Sequence, residues 1–151
     1  MTEVNVDAAT QAFLDRQTNL ILATIRKDGT PQVSPLWYLW TKGTFVLSTN
    51  DKTAKWWNIQ RDPRCSVLVH GQEWDDAYVQ VDGEAAVLDM PSQAAEDGLV
   101  EYFRCISGEH PDWEEYRAAM RRQGKSLLRI TPTSWGPIAT GGFPPDRAPQ
   151  G

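Results

Sequence analysis

The run Ser48-Thr49-Asn50-Asp51-Lys52-Thr53-Ala54-Lys55-Trp56-Trp57-Asn58 carries the residue types of an anion site. It follows the strand-like Thr44-Phe45-Val46-Leu47 and opens what reads as a short helix reaching about Arg61. Small polar residues that leave a strand and cap a helix present backbone N–H groups at the positive end of the helix dipole. Lys52, Lys55 and Asn58 recur at every third position, which sets them along one helical stripe as cationic and amide donors. The simplest ligand for such a corner is a phosphate. Ordinary helix capping and solvated lysines account for the same residues, so this window alone leaves both readings open.

The remaining chemistry-bearing residues are sparse. His70 and His110 stand apart from each other and from Cys65 and Cys105, without the spacing of a zinc site. Cys65 falls in a predicted strand and Cys105 in a predicted helix, and both are expected to be buried free thiols. There is no Ser/His/Asp signature and no glycine-rich nucleotide loop. Tyr38 and His70 are the only side chains that suggest a proton donor, and neither stands out, so no catalytic residue is assigned. Seven tryptophans in 151 residues are unusual; indoles fill cores and subunit contacts, or wall a site for a planar ligand.

The formal net charge of −5 argues against nucleic acid as a partner, which would require a basic face. No apolar run approaches membrane-spanning length, and no charged segment followed by an apolar one opens the chain. The expected location is therefore the cytoplasm, with no membrane partner.

The elements that would position these residues follow from periodicity and turn signals. Val6 to Arg16 reads as a helix, with Ala9, Phe13 and Leu14 on one side. Leu20 to Ile25 is a strand, Lys27-Asp28-Gly29-Thr30 a tight hairpin turn, and Gln32 to Trp40 the returning strand. Thr41-Lys42-Gly43 turns into a third strand, Thr44 to Ser48, which leads into the polar corner. Asp62-Pro63 ends the short helix, Arg64 to Val69 is a fourth strand, and Ala77 to Leu88 a fifth with Gly83 as a bulge. Helices are expected from Pro91 to about Cys105 and from Pro111 to about Gln123, before a last strand, Leu127 to Thr131. About six antiparallel strands and four helices in one domain, residues 1–138, suit a closed or nearly closed barrel. Residues 139–151 read as a Gly/Pro-rich tail.

The ordered set Ala23-Thr24-Ile25-Arg26-Lys27-Asp28-Gly29-Thr30-Pro31-Gln32-Val33-Ser34-Pro35-Leu36-Trp37, then Ser48-Thr49 through Lys55 and Asn58, then Arg61-Asp62-Pro63-Arg64, resembles a known family. It is similar to the split β-barrel flavoproteins of the pyridoxamine-phosphate-oxidase type, and most to the actinobacterial reductases that use the deazaflavin coenzyme F420. The resemblance implies a homodimer with two cofactor sites at the subunit interface. It further implies that the strand carrying Gln32, Val33, Ser34, Pro35 and Trp37 runs beside the cofactor ring. Ser48, Thr49, Asn50, Lys52, Lys55 and Asn58 would surround the phosphate, with Lys55 and Asn58 as its principal contacts. Lys52 and Arg61 could reach the polyglutamate tail of F420, and Trp74, Trp135 and Phe143 could form an opposing wall. Of Trp56 and Trp57, one is expected against the barrel and the other toward the partner subunit.

Vitamin B6 oxidases of this type finish with an arginine-containing motif that grips substrate, whereas this chain reads Ile130-Thr131-Pro132-Thr133-Ser134-Trp135. The implied activity is F420-dependent hydride transfer to a conjugated small-molecule acceptor, an enone, quinone or tetrapyrrole-like bridge. FMN is the alternative cofactor, since it shares the phosphate anchor. A non-enzymatic carrier of a flavin or another planar ligand is the alternative from outside catalysis.

Overall fold

A computed structural model describes residues 6–73, 76–136 and 138–140 of the chain. Eight strands and four helices alternate as α1 (Ala8–Arg16), β1 (Asn19–Ile25), β2 (Pro31–Trp37), β3 (Leu39–Thr41), β4 (Thr44–Asn50), α2 (Ala54–Arg61), β5 (Arg64–His70), β6 (Ala77–Leu88), α3 (Gln93–Ser107), α4 (Trp113–Arg122), β7 (Lys125–Trp135) and β8 (Ala139–Thr140). The helix starts follow local capping chemistry. Asp7, Ser92 and Asp112 each accept a backbone N–H three residues on, which satisfies an otherwise orphaned donor. Among the described residues no helix is long and apolar enough to cross a membrane.

All strand pairings are antiparallel, and the sheet runs in the order β2-β1-β5-β6-β7-β4-β3, with β8 joined to the start of β6. The two ends of that path, β2 and β3, are separated in the chain by Tyr38 alone. The sheet therefore curls until its edges are bridged by covalent chain, which is a split barrel. Tyr38 makes this switch possible. Its N–H donates to the Thr18 carbonyl at 3.1 Å and its buried hydroxyl donates to the Leu14 carbonyl at 2.6 Å.

Several sequence expectations change here. The strand expected from Gln32 to Trp40 is two strands, because a barrel cannot close unless the chain leaves β1 and crosses to β4. That division, together with β8, raises the expected six strands to eight. The last strand continues past Thr131 to Trp135, and Ala139–Thr140, placed by sequence in the tail, pairs with Ala77 and Tyr78. Pro91 precedes α3 rather than opening it. Cys105 is exposed and not buried, whereas burial pushes the Cys65 thiol up to about 12.

Alternation along β1 buries Leu20, Leu22 and Thr24 and turns Ile21 and Ala23 outward. The barrel core gathers these with Phe45, Leu47, Val67, Val69, Val79, Val81, Leu128 and Ile130. The bulge expected at Gly83 is present: the β6–β7 register shifts between Asp82 and Gly83. A Cβ at Gly83 would sit 2.7 Å from the Thr131 carbonyl oxygen, so the close strand approach there admits only glycine. A second, smaller core forms where α3 and α4 cover β4 and β7, around Leu99, Val100, Tyr116, Leu127 and Val46.

Candidate cofactor site

The polar corner is built differently from a simple cap. Ser48, Thr49 and Asn50 are the last residues of β4, paired with Leu127, Ser126 and Lys125 of β7. The N-cap of α2 is Thr53, and its side chain does not cap the helix. Its hydroxyl lies 2.9 Å from that of buried Thr49 and donates to the Asn50 carbonyl at 2.9 Å. The Asn50 side chain accepts from the Lys52 N–H at 2.9 Å, and the Trp57 indole donates to the Asp51 carbonyl at 2.7 Å. The loop is thus braced from within, while the first amides of α2 have no side-chain partner. That is the electrostatic setting that favours an anion.

Lys55 stands in the first turn of α2, half-buried. Among the described residues it has no ion-pair partner. Burial holds its pKa below the ordinary lysine value. A partly desolvated ammonium without a carboxylate is stabilised by any anion that arrives. Lys52 lies in the turn before the helix and is exposed. The three donors expected on one stripe therefore point to three environments: Lys52 to solvent, Lys55 to the half-buried corner, and Asn58 to the interior.

Asn58 is 3% exposed, and its carboxamide is engaged inside the fold. Arg61 donates to its Oδ1 at 2.9 Å, its Nδ2 donates to Thr24 Oγ1 at 3.1 Å, and Thr24 donates to Gln32 Oε1 at 3.3 Å. These hydrogen bonds run in one direction from α2 through β1 to β2, so each polarises the next. Asn58 ties the helix to the strand bearing Gln32, and the sequence offered no sign of Thr24 as the link. Thr24→Val keeps the shape but leaves the Asn58 N–H without its acceptor. A loss of about 1–3 kcal/mol in denaturant unfolding is expected; unchanged stability would show that the relay contributes nothing.

On β2 the side chains alternate. Gln32, Ser34 and Leu36 share the inward face with Thr24, Leu22 and Leu20, their partners on β1. Among the described residues Ser34 Oγ is buried with no hydrogen-bond partner, an orphaned polar atom on that wall. Val33, Pro35 and Trp37 face outward, with Val33 56% and Trp37 52% exposed. Trp37 also walls a cleft with Asn19, Pro35, Leu36 and Tyr102.

The sequence pattern of the pyridoxamine 5'-phosphate oxidase family matches residues 6–139. The chain belongs to that family. Among solved structures, a conserved hypothetical protein from Mycobacterium tuberculosis is 25% identical, with a TM-score of 0.74 over 89% of this chain and 88% of its own. An F420 reductase is 22% identical, with a TM-score of 0.67 over 87% of this chain and 98% of its own. The heme storage protein HutZ from Vibrio cholerae is 16% identical, with a TM-score of 0.70 over 91% and 98%. The last two likenesses are of fold.

Within this family member the other sequence candidates sort as follows. Trp135 ends β7, and its ring packs edge-on to Trp40 at 5.6 Å and beside Phe45 at 6.3 Å, with an indole nitrogen that has no partner among the described residues. Trp56 donates to Asp89, while Trp57 is 56% exposed. Trp74 and Phe143 lie outside the described residues. Tyr38 is a core residue whose hydroxyl is occupied and whose pKa burial raises, so it is no proton donor. The His70 Nδ1 lies 2.8 Å from the Gly71 carbonyl oxygen. Among the described residues no group of His, Cys, Asp and Glu could hold a metal.

Proposed function

We propose that this chain binds coenzyme F420 along β2 and the α2 corner and serves hydride transfer to a conjugated small-molecule acceptor. The observation that carries the reading is Lys55, a half-buried ammonium with no carboxylate partner among the described residues, beside helix amides that none of their side chains caps. That donor set fits a phosphate. Lys52 and Arg61, both exposed, extend positive charge beyond it, which suits a cofactor with a carboxylate tail. When bound, reduced F420 would supply the hydride. The chain itself would fix the phosphate through Lys55, run the β2 backbone from Gln32 to Pro35 beside the ring, and place the outward Trp37 as a wall. The absence of arginine from Ile130 to Trp135 argues against vitamin B6 as substrate.

The working form in this reading is a homodimer. Val33, Pro35 and Trp37 make an exposed row on β2, continued by Ile21 and Ala23 on β1, and a second copy would cover it. Two free cysteines suit the reducing cytoplasm, where we place the activity.

Fluorescence titration of the purified protein with F420 and with FMN, with molar mass measured in parallel by light scattering, is expected to give saturable F420 binding to a dimer. Reduced F420 should then be oxidised by a quinone or an enone. Saturable FMN binding with none for F420 would move the assignment to FMN. Binding of F420 without turnover on any acceptor would make the protein a carrier. Saturable binding of heme in a parallel titration, with none for F420 or FMN, would overturn the reading.

A further inference from the structure

Asp89, the residue that follows β6, joins α2 to β7 through one carboxylate oxygen. Its Oδ1 accepts from the Trp56 indole N–H at 3.1 Å and from the Ser126 hydroxyl at 2.5 Å. Ser126 is 2% exposed and is the β7 partner of Thr49 in β4, so the acid is fastened to the part of the sheet that carries the polar corner. Among the described residues Asp89 takes part in no ion pair, and its charge strengthens these two hydrogen bonds instead. The contact continues beyond Trp56. The Trp56 ring meets that of Trp57 at 4.8 Å with 69° between their planes, and the Trp57 N–H donates to the Asp51 carbonyl at 2.7 Å. One acid thus steadies two consecutive indoles, and the second indole clasps the loop that leads into the helix. An eight-residue helix has little stability of its own, and its placement comes from tertiary contacts. The Asn58–Thr24 hydrogen bond fixes its second half. Trp56 fixes the first turn, where Lys55 stands.

We propose that Asp89 is a positioning residue for the phosphate corner. Through Trp56 and Trp57 it holds the first turn of α2 and the loop 51–53 in one orientation, so that the Lys55 amine and the open helix amides converge on a single anion. The role rests on the cofactor reading above; the hydrogen bonds themselves do not. Asp89 touches no ligand in this scheme. Its own negative charge opposes an anion, and only its capacity to accept two hydrogen bonds serves the site. Substitution separates these two properties: Asp89→Asn keeps the acceptor oxygen and drops the charge, whereas Asp89→Ala removes both. Such support matters because a binding constellation keeps its strength only when held to within about half an ångström.

The test measures Kd by fluorescence for F420 and for the same deazaflavin lacking its phosphate and tail; FMN and riboflavin form a second such pair. Asp89→Ala and Trp56→Phe are each expected to weaken the phosphorylated ligand about threefold to tenfold and to leave the phosphate-free one unchanged. Asp89→Asn should keep or slightly exceed the original affinity. The double variant Asp89→Ala/Trp56→Phe should bind no worse than the weaker single variant, since both substitutions remove the same contact. Asp89→Ala also strands the buried Ser126 hydroxyl and lowers Tm; Trp56→Phe leaves that bond in place and remains the test should the alanine variant fail to fold. Unchanged affinity in both single variants, an equal loss for phosphorylated and phosphate-free ligand, or no recovery in Asp89→Asn would each overturn the proposal. Lys55→Ala is read alongside. A loss there with none in the Asp89 and Trp56 variants would overturn the brace and leave the cofactor reading intact. No loss in Lys55→Ala, or no binding of either phosphorylated ligand, would remove the reading and the brace together.

Discussion

Replacement of Lys55 by alanine is expected to weaken binding of F420, or of FMN, by about 1.5–3 kcal/mol, the worth of one charge-assisted hydrogen bond. In a fluorescence titration this is a rise in Kd of roughly tenfold to a hundredfold. Fold stability should stay level or rise slightly, because the substitution removes an ammonium that burial disfavours. The two responses therefore separate: binding falls while the melting temperature does not. Unchanged affinity for both cofactors would remove the phosphate from this corner.

The same lysine sets a direction for pH dependence. Its folded-state pKa lies below the ordinary 10.5, because burial penalises its charge. Between those two values the folded protein holds fewer protons than the unfolded chain, so this group makes stability rise with pH across that window. The side chain is only partly buried, and the gain is correspondingly small. Cofactor binding runs the opposite way, since the phosphate needs the charged amine. Affinity should fall as pH climbs through the lowered pKa, and Lys55→Ala should abolish that part of the profile.

Phe45→Ala is expected to cost about 3–5 kcal/mol of folding stability, read from the denaturant midpoint. Phe45 is fully buried on β4 and packs edge-on to Tyr38 at 5.5 Å, with Trp40 at 4.7 Å and Trp135 at 6.3 Å. These rings fill the point where the chain crosses from one sheet edge to the other, so no neighbour can move in without opening the barrel. A domain stable by roughly 5–15 kcal/mol would lose a large share of that margin. The folded fraction should still bind cofactor with ordinary affinity, because Phe45 lies in the core rather than at the phosphate corner. A loss near 1 kcal/mol would mean that the aromatic cluster relaxes into the cavity.

The elements that local chemistry controls were legible in the chain. The Asp28-Gly29 turn forms as expected, with Gly29 at φ 88° and Asp28 accepting from the Thr30 N–H at 3.0 Å. The helix that follows the polar corner, the bulge at Gly83 and the two inserted helices also emerge near their predicted places. Where the reading missed, a long-range requirement intervened. Nothing in Leu36-Trp37-Tyr38-Leu39 announces a break, because the break exists only to close the sheet.

The candidate site divides along the same line. Sequence alone determined that Ser48 to Asn58 is a strand-to-helix corner rich in donors, and the ordered motifs marked the family. Residue type and spacing suffice for that, since caps, turns and alternation are governed by neighbours within a few positions. Only the tertiary structure decided how those donors are used. It extends β4 through Asn50, turns Asn58 inward to Thr24, leaves Lys55 half-buried and unpaired among the described residues, and brings Tyr102 from a distant helix to Trp37. Each of those outcomes depends on which side chain meets which partner across the curled sheet, and that is set by packing between segments far apart in the chain.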